Sequence, residues 1–578
     1  MFILLQLRWF FAMKWPRYLV ALIALASVSG LIMVPPWITG NIVDAIAEQR
    51  LTTDELLRQC GLIVVVAFVI YILRNVWRIA LYGASFQLAS LLRQRIYDHL
   101  CLMTPRFYQK HHTGDLMARA TNDVNAVETT AGEGVLALFD GVLTGIVVLT
   151  VMVLTLSWKL TLLAMLPWPL MGYLMWRFTT ELHHAFADAQ QQFSRLNDLT
   201  QESLTGIRLI KAFGQQRHTA ATYAAVAQRT TDANHRVAAI DAKYDPTIFI
   251  AVGASFLLTV GGGAWWIKQG ELTVGELTTF TIYLGYLIWP MFAFGWVLNI
   301  LERGAAAYQR IDQLLQTETD IPDHGNTATV ADHRLTFAIR RYAHDDRGDT
   351  LRAIHIDMPP ASTLGIVGPT GAGKTTLLEL LLRLRESDEA VISLSGHPLP
   401  AYRLDALRQE FGLVPQDPFL FSATIAENIA LGHPESDLDA IRGAARLACI
   451  DDDILAFPDR YDTLVGERGI TLSGGQKQRL AIARALLRDP PVMVLDDALS
   501  AVDVDTERRI LTHLRQDRSG RSNIIVSHRL SAVMDADRII VLQQGGIAER
   551  GDHTALMNNN GWYAQMFRYQ QIAQTLER

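Results

Sequence analysis

The sequence predicts a multidomain protein in which an all-α, six-helix transmembrane domain is followed by a soluble α/β domain. Its 578 residues are 50% hydrophobic and only 19% charged, which is apolar enough to indicate a membrane protein. The apolar residues form long runs up to about residue 300 and, beyond residue 335, short runs bounded by glycine, proline and charges. A membrane half followed by a soluble half accounts for both observations.

The charge and the cysteines argue against two classes of function. The net charge of −6 leaves no basic surface for nucleic acid, so no nucleic-acid partner is expected. The cysteines lie too far apart in the sequence to indicate a metal-binding or redox pair, at Cys60, Cys101 and Cys449. The first apolar run follows basic residues but lacks an A-x-A-like cleavage site, which favours a retained helix.

Six stretches have the roughly 20 mostly apolar residues that a membrane span needs. They lie near residues 18–40, 60–82, 136–157, 160–180, 247–268 and 278–300. The connection after the second stretch is rich in lysine and arginine, whereas the one before it is net acidic. Because positive connections stay in the cytoplasm, we expect a multi-pass protein in a lipid bilayer with both termini and the soluble half cytoplasmic.

The soluble half contains a phosphate-binding loop between an apolar strand and a helix. "TLGIVGPTGAGKTTLLELLLRL", residues 363–384, reads as a strand, a glycine-rich loop and a helix that match G-x-x-x-x-G-K-[ST]. The loop N–H groups and the helix start would surround phosphate oxygens, Lys374 would reach the β- and γ-phosphates, and Thr375 would bind Mg²⁺. The candidate nucleotide contacts here are Gly368, Pro369, Thr370, Gly371, Ala372, Gly373, Lys374, Thr375 and Thr376.

Two further motifs belong with this loop. "PVMVLDD", residues 491–497, is an apolar strand that ends in Asp496, a second candidate Mg²⁺ ligand beside Thr375. "TLSGGQKQRLAIARALLRD", residues 471–489, predicts a helix capped by Ser473 and opened by glycines. Exposed N–H groups at that helix start would form a second anion site, made by Ser473, Gly474, Gly475 and Gln476.

The string LSGGQ, between the phosphate loop and the aspartate-ended strand, resembles the ATP-binding cassette (ABC) family across the whole soluble half. The resemblance implies ATP and Mg²⁺ as ligands, and two cassettes, because the LSGGQ helix of one closes over ATP held by the other. It also implies that Gln416 senses Mg²⁺ and the attacking water, and that His528 contacts the γ-phosphate. Glu467 resembles a residue of the exporter cross-loop, and Asp503 ends a sequence similar to the dimer loop.

The membrane half is similar to that of exporters in the same family. "FYQKHHTGDLMARATNDV" and "ESLTGIRLIKAFG" resemble the two intracellular segments through which exporters dock on their cassettes. The resemblance implies a type 1 ABC exporter fold plus an α/β P-loop cassette in a bacterial inner membrane. The expected boundaries are a transmembrane domain at 1–314, a linker at 315–333 and a nucleotide-binding domain at 334–578.

The sequence departs from the family pattern at two positions. A glutamate that polarises the attacking water usually follows the Mg²⁺-binding aspartate, but Asp497 is one methylene shorter. Because a misplacement of about 1 Å can cost on the order of a hundredfold in rate, this site is expected to bind ATP and hydrolyse it slowly. Alternatively, a local shift of the backbone could bring the Asp497 carboxylate close enough to the attacking water to act as a base. The aromatic residue that stacks on adenine is replaced by His344, with Tyr342 two residues earlier, and either could contact the base.

The LSGGQ motif is intact while the catalytic position, Asp497, is altered, and this combination predicts a heterodimer. This chain would supply the signature for a competent site on a second half-transporter subunit, and the pair would export amphiphilic small molecules by alternating access. Alternatives are a lipid flippase, a siderophore importer built on the exporter fold, or a regulatory subunit that only binds ATP. A soluble cassette ATPase acting on ribosomes or DNA is excluded by the six predicted spans.

Overall fold

The computed structural model describes residues 2–327, 329–344, 348–466, 469 and 472–576. It divides into two compact units, one with Met1–Leu100 and Thr113–Thr317, the other with Cys101–His112 and Glu318–Arg578. The short segment Cys101–His112 belongs to the second unit because its side chains bond there. Thr104 Oγ1 lies 3.4 Å from Asp320 Oδ2, and Arg385 donates to Gln109 Oε1 at 3.1 Å.

The chain as far as Leu315 is helical. Its α-helices are α1 (Phe2–Gln6), α2 (Arg8–Met13), α3 (Trp15–Leu31), α4 (Val34–Ala47), α5 (Thr53–Leu102), α6 (Pro105–Lys110), α7 (Thr113–Ala118), α8 (Val124–Thr129), α9 (Val135–Val151), α10 (Trp158–Ala164), α11 (Trp168–Thr205), α12 (Ile207–Ala212), α13 (Gln216–Asp241), α14 (Tyr244–Lys268), α15 (Val274–Tyr286) and α16 (Ile288–Leu315). π-helical turns at 119–123 and 130–134 join α7, α8 and α9, and a third at 152–157 extends α9. The backbone of Ser157 is extended, with φ −153° and ψ 117°, so the chain turns there before α10 begins.

Within the described residues, four helical stretches are long and apolar enough to cross a membrane: Trp15–Ala47, Thr53–Leu102, Thr113–Ala164 and Gln216–Lys268. All but Thr53–Leu102 contain a short break between two helices. Two other predicted spans, 160–180 and 278–300, each fall on two helices with a short break. Pro167 lies in the first break, and Pro290 follows the second. Proline has no N–H to donate to the preceding turn, so the helix is interrupted there.

Glycines let the helices of the first unit approach closely. A methyl group on Gly40 of α4 would lie 2.6 Å from the carbonyl oxygen of Gly275 in α15. The carboxylate of Asp44 accepts hydrogen bonds from the Gly275 N–H at 2.6 Å and the Thr273 hydroxyl at 2.7 Å, which caps α15. The first and last thirds of this unit are therefore joined by backbone contact as well as by apolar packing.

The second unit contains two sheets. Their strands are β1 (Leu335–Ala343), β2 (Asp349–Met358), β3 (Thr363–Val367), β4 (Ala390–Leu394), β5 (His397–Pro398), β6 (Phe411–Val414), β7 (Val492–Asp496), β8 (Ser522–Val526), β9 (Arg538–Gln543) and β10 (Gly546–Gly551). An antiparallel sheet has the order β2-β1-β4-β5, and a mostly parallel one has the order β10-β9-β3-β8-β7-β6. The strands β3, β7 and β8 are adjacent in the parallel sheet, so the residues that follow them meet at one edge.

Helices cover the parallel sheet and complete its core. They are α17 (Lys374–Leu381), α18 (Leu404–Gln409), α19 (Ile425–Ala430), α20 (Leu438–Leu447), α21 (Asp451–Leu455), α22 (Gly474–Arg488), α23 (Val504–Asp517), α24 (His553–Asn558) and α25 (Trp562–Leu576). Strand β7 is buried at every position, which explains its continuous apolar run. One cluster of buried side chains joins α20, α22 and α23 to one face of the sheet, and another joins the antiparallel sheet to α17.

Candidate nucleotide-binding site

The loop between β3 and α17 has the backbone of a phosphate-binding loop. Gly368, Gly371 and Gly373 have φ values of 151°, 80° and 97°, which side chains rarely allow. A methyl group on Gly373 would lie 2.5 Å from Leu351 and 3.0 Å from the Thr350 carbonyl oxygen. The loop therefore needs glycine both for its turns and for close packing against β2.

Lys374 begins α17 and is 7% exposed. Its Nζ donates to the carbonyl oxygens of Gly368 at 2.9 Å and Pro369 at 3.0 Å. Burial lowers the pKa of Lys374, while the nearby carboxylates of Asp497 and Asp496 partly oppose that shift. The ammonium group thus lies inside the loop that would surround the phosphates.

Asp496 ends β7 beside the hydroxyl of Thr375. Burial raises the pKa of Asp496; the hydrogen bond from Thr375 opposes this shift, and the neighbouring Asp497 adds to it. A carboxylate and a hydroxyl are oxygen donors of the kind that Mg²⁺ binds together with substrate phosphates. The donor set at Thr375 and Asp496 therefore fits Mg²⁺, and the exposed Gln416, two residues after β6, supplies a further amide oxygen on the same cavity.

Asp497 is held by two hydrogen bonds that direct it toward the strand next to its own. Its backbone has a φ of 48°, and its N–H donates to the carbonyl oxygen of Val526 at 2.8 Å. Its Oδ1 accepts a hydrogen bond from the backbone N–H of His528 at 3.2 Å. Asp497 is 7% exposed, and one of its two carboxylate oxygens is bound to the loop after β8.

A cavity of about 730 Å³ brings most of the predicted site residues together. It is lined by His344, the loop from Thr370 to Thr376, Gln416, Asp496, Asp497 and His528. Sequence reasoning missed other lining residues, which come from β2, the end of β8 and the turn between β9 and β10: Asp349, Thr350, Arg352, Val526, Gln544 and Gly545. No local motif marks them, because they reach the cavity only through the fold.

The two candidates for adenine contact lie in different places. His344 lines the cavity, and its Nε2 is 3.1 Å from the Thr376 hydroxyl. Tyr342 is 8% exposed and lies edge-on to His344, with ring centroids 5.3 Å apart. Tyr342 lines a neighbouring cavity of about 410 Å³ together with Arg385. Of the two, only His344 lines the cavity that contains the phosphate-binding loop.

The LSGGQ segment lies apart from this cavity. Ser473 caps α22 by accepting from the Gln476 N–H at 3.3 Å, while the Gln476 side chain accepts from the Ser473 N–H at 3.0 Å. Gln478 joins α22 to the 500–501 turn, with bonds to Ser500 Oγ at 3.0 Å and from the Ala501 N–H at 2.9 Å. Ser473 and Gly474 are exposed, so the start of α22 is accessible to a ligand that is not bound in this chain's nucleotide cavity. Glu467, the predicted cross-loop residue, lies outside the described residues.

The sequence matches two protein families and several curated relatives. Residues 18–291 match the ABC transporter transmembrane region, and residues 351–500 match the ABC transporter family. The chain is 48% identical to the multidrug resistance-like ATP-binding protein MdlA of Escherichia coli (strain K12), over 99% of this chain and 97% of the relative. It is 39% identical to the probable multidrug resistance ABC transporter ATP-binding/permease protein YheI of Bacillus subtilis (strain 168), over 99% and 98%.

A third relative is the ATP-dependent lipid A-core flippase of Chromohalobacter salexigens, which is 32% identical over 83% of each chain. Among solved structures, a bacterial Atm1-family ABC exporter with ATP bound matches 97% of this chain and 99% of that chain. The TM-score is 0.78 and the sequence identity 27%. With a transmembrane region and a cassette matched in one polypeptide, the chain belongs to the ABC transporter family and is an ATP-hydrolysing transporter with the type 1 exporter fold.

Proposed function

We propose that this chain is one subunit of a heterodimeric ATP-driven exporter, and that its own site binds ATP but hydrolyses it slowly. The observation that carries the proposal is that the Asp497 side chain is short and already hydrogen-bonded. Its carboxylate has one methylene fewer than glutamate, and one of its oxygens accepts the His528 N–H at 3.2 Å. A general base must come within about 2.6 to 3.2 Å of the proton that it accepts, so a short and engaged carboxylate is a poor base for water.

The remaining residues of the cavity have binding roles in this proposal. Lys374 binds the β- and γ-phosphates, and His344 contacts the base. Thr375 and Asp496, with Gln416, hold Mg²⁺, which neutralises phosphate charge when it is bound. His528 contacts the γ-phosphate from the loop that Asp497 supports. The site is thus equipped to retain ATP and lacks a well-placed base.

The competent site of the pair would use the LSGGQ helix of this chain. Ser473, Gly474, Gly475 and Gln476 present the exposed N-terminus of a helix of 15 residues, a suitable site for the phosphates of ATP bound to the other subunit. The other subunit would carry glutamate after its own Mg²⁺-binding aspartate. Closure of both cassettes on ATP then opens the membrane cavity outward, and hydrolysis in the competent site resets it. Only a higher affinity of ATP for the closed state can drive this change.

The proposed cargo is an amphiphilic small molecule, and the proposed location is the bacterial inner membrane with both termini in the cytoplasm. Relatives named for multidrug resistance support this cargo class. The proposed transmembrane domain is 1–314, with a linker at 315–333 and the cassette at 334–578.

A lipid flippase is the second candidate function, because a lipid A-core flippase is 32% identical over 83% of the chain. Transport into inverted and right-side-out vesicles would distinguish export from import.

The test is ATP turnover by the purified full chain alone and together with its candidate partner. We expect low turnover alone, high turnover for the pair, and loss of turnover when the catalytic carboxylate of the other subunit is replaced. Turnover at the full rate by the chain alone would contradict the proposal. Lys374→Ala in the pair tests the purely regulatory alternative, which requires that transport continue without ATP in this site.

A further inference from the structure

An aspartate and two tryptophans meet in the membrane half, where α9 lies against α16. Trp289 Nε1 donates a hydrogen bond to Asp140 Oδ2 at 3.0 Å. Trp296 lies two turns further along α16, and its ring centroid is 6.5 Å from that of Trp289 at an interplanar angle of 61°. The two indoles are 49% and 40% exposed in the single chain, so both present ring surface to the surroundings.

Small residues fix this arrangement by bringing the two helices together. A methyl group on Gly141 would lie 2.8 Å from the Cβ of Ala293, and one on Gly145 would lie 3.3 Å from Pro290. The backbones cannot separate or slide at these points without losing contact. This close approach brings the indole of Trp289 within hydrogen-bond distance of Asp140, so the group depends on the packing of the two helices.

The group lies at membrane depth. Asp140 is within the candidate span Thr113–Ala164, and Trp289 is within the predicted span 278–300. The chain turns at Ser157 and Trp158, between α9 and α10, and Asp140 precedes Trp158 by 18 residues. At about 1.5 Å per residue that is roughly 27 Å of helix, which under the proposed orientation reaches the inner leaflet. An ionisable side chain at such depth is costly and usually marks a substrate or ion pathway.

Among the described residues, Asp140 has a hydrogen-bond donor but no partner in an ion pair. None of the ion pairs formed by the described part of the chain includes Asp140, and its hydrogen bond there comes from a neutral indole. A carboxylate supplies negative charge in a poorly screened environment, and the faces of tryptophan rings attract cations that are within about 6 Å. Charge and ring surface thus both select for an organic cation and against an anion.

We propose that Asp140, Trp289 and Trp296 form a binding site for the positively charged head of an amphiphilic organic cation. The inference rests on the proposed function, because it names the class of amphiphile that the exporter would take from the inner leaflet. Asp140 neutralises the head group, the indoles cover it, and the apolar tail lies along the lipid-like surface of the helices.

The experiment measures binding of tetraphenylphosphonium and of its anionic isostere tetraphenylborate to the full chain, assembled with its partner in lipid nanodiscs, by equilibrium dialysis. Asp140→Asn removes the negative charge, nearly preserves the shape of the side chain and keeps an oxygen that can accept from Trp289. We expect it to weaken tetraphenylphosphonium binding roughly tenfold, a change of about 1.4 kcal/mol, and to abolish the preference over tetraphenylborate. Asp241→Asn makes the same change of charge at an exposed position and should leave both affinities unchanged.

Two outcomes would overturn the inference: tetraphenylphosphonium binding that is unaffected by Asp140→Asn, or an equal loss for both probes, which would mean a structural role. If that variant does not assemble, Trp296→Leu leaves the Asp140–Trp289 bond intact and must weaken tetraphenylphosphonium binding several-fold. Unchanged binding would again refute the site. Binding needs no hydrolysis, so ATP turnover measured on the same samples tests the proposed function separately.

Discussion

Replacing Asp497 by glutamate should accelerate hydrolysis in this chain's own site. The added methylene extends the carboxylate by one C–C bond, about 1.5 Å, which exceeds the roughly 1 Å misplacement that costs on the order of a hundredfold in rate. The longer side chain also gives up the 3.2 Å bond to the His528 N–H, a loss of about 1 kcal/mol in stability. We therefore expect single-turnover hydrolysis to rise by up to about a hundredfold, with a slightly lower unfolding temperature.

The assay uses the pair with the catalytic carboxylate of the other subunit replaced, so that the remaining hydrolysis comes from this site. Asp497→Asn is the matched control, because its amide oxygen can still accept from His528 while the side chain cannot act as a base. The control should hydrolyse ATP as slowly as the unmodified chain. If Asp497→Asn lost the residual ATP hydrolysis, Asp497 would be identified as a working base. If Asp497→Glu hydrolysed ATP no faster than the unmodified chain, the length of the side chain would not be what limits the rate.

Three further predictions concern close contacts and the base-binding side chain. Gly475→Ala would place a methyl group 2.8 Å from a carbonyl oxygen of the 500–501 turn and should lower turnover of the pair about tenfold, whereas Gly474→Ala, with 3.5 Å to its nearest neighbour, should be mild. Gly40→Ala should destabilise the membrane half by about 1–3 kcal/mol in thermal unfolding, while Gly30→Ala, which meets nothing within 4 Å, should not. His344→Ala should raise the Kd for ATP about tenfold in a nucleotide-binding assay, because a stacking ring is lost.

Each of these has a result that would count against it. Equal turnover for the two glycine variants of α22 would mean that the 500–501 turn yields easily. Equal unfolding temperatures for Gly40→Ala and Gly30→Ala would show that α4 and α15 do not approach each other as closely as the structure indicates. Tyr342→Phe should leave ATP affinity unchanged, since Tyr342 lines the neighbouring cavity, and a loss as large as that of His344→Ala would place the base elsewhere.

The residues of the motifs were predictable from sequence because each motif is local. Lys374 follows a glycine loop whose backbone angles depend on a few neighbouring residues, and Ser473 caps the helix that its own segment forms. The buried strand β7 has a continuous apolar run, which also placed Asp496 at its end. Most of the predicted site residues accordingly meet at one cavity. Three predicted membrane spans, 18–40, 160–180 and 278–300, are each divided into two helices next to a proline.

Tertiary structure alone decided the contacts between distant segments. Asp349 and Gln544 line the nucleotide cavity because β2 and the β9–β10 turn pack beside the phosphate loop, and neither belongs to a motif. The bond between Asp497 and His528 depends on β7 and β8 being neighbours in the sheet, although 31 residues separate them in sequence. In the same way, Trp289 reaches Asp140 because glycine lets two helices touch. Spacing along the chain determines backbone conformation over a few residues, whereas these pairings depend on how whole strands and helices pack.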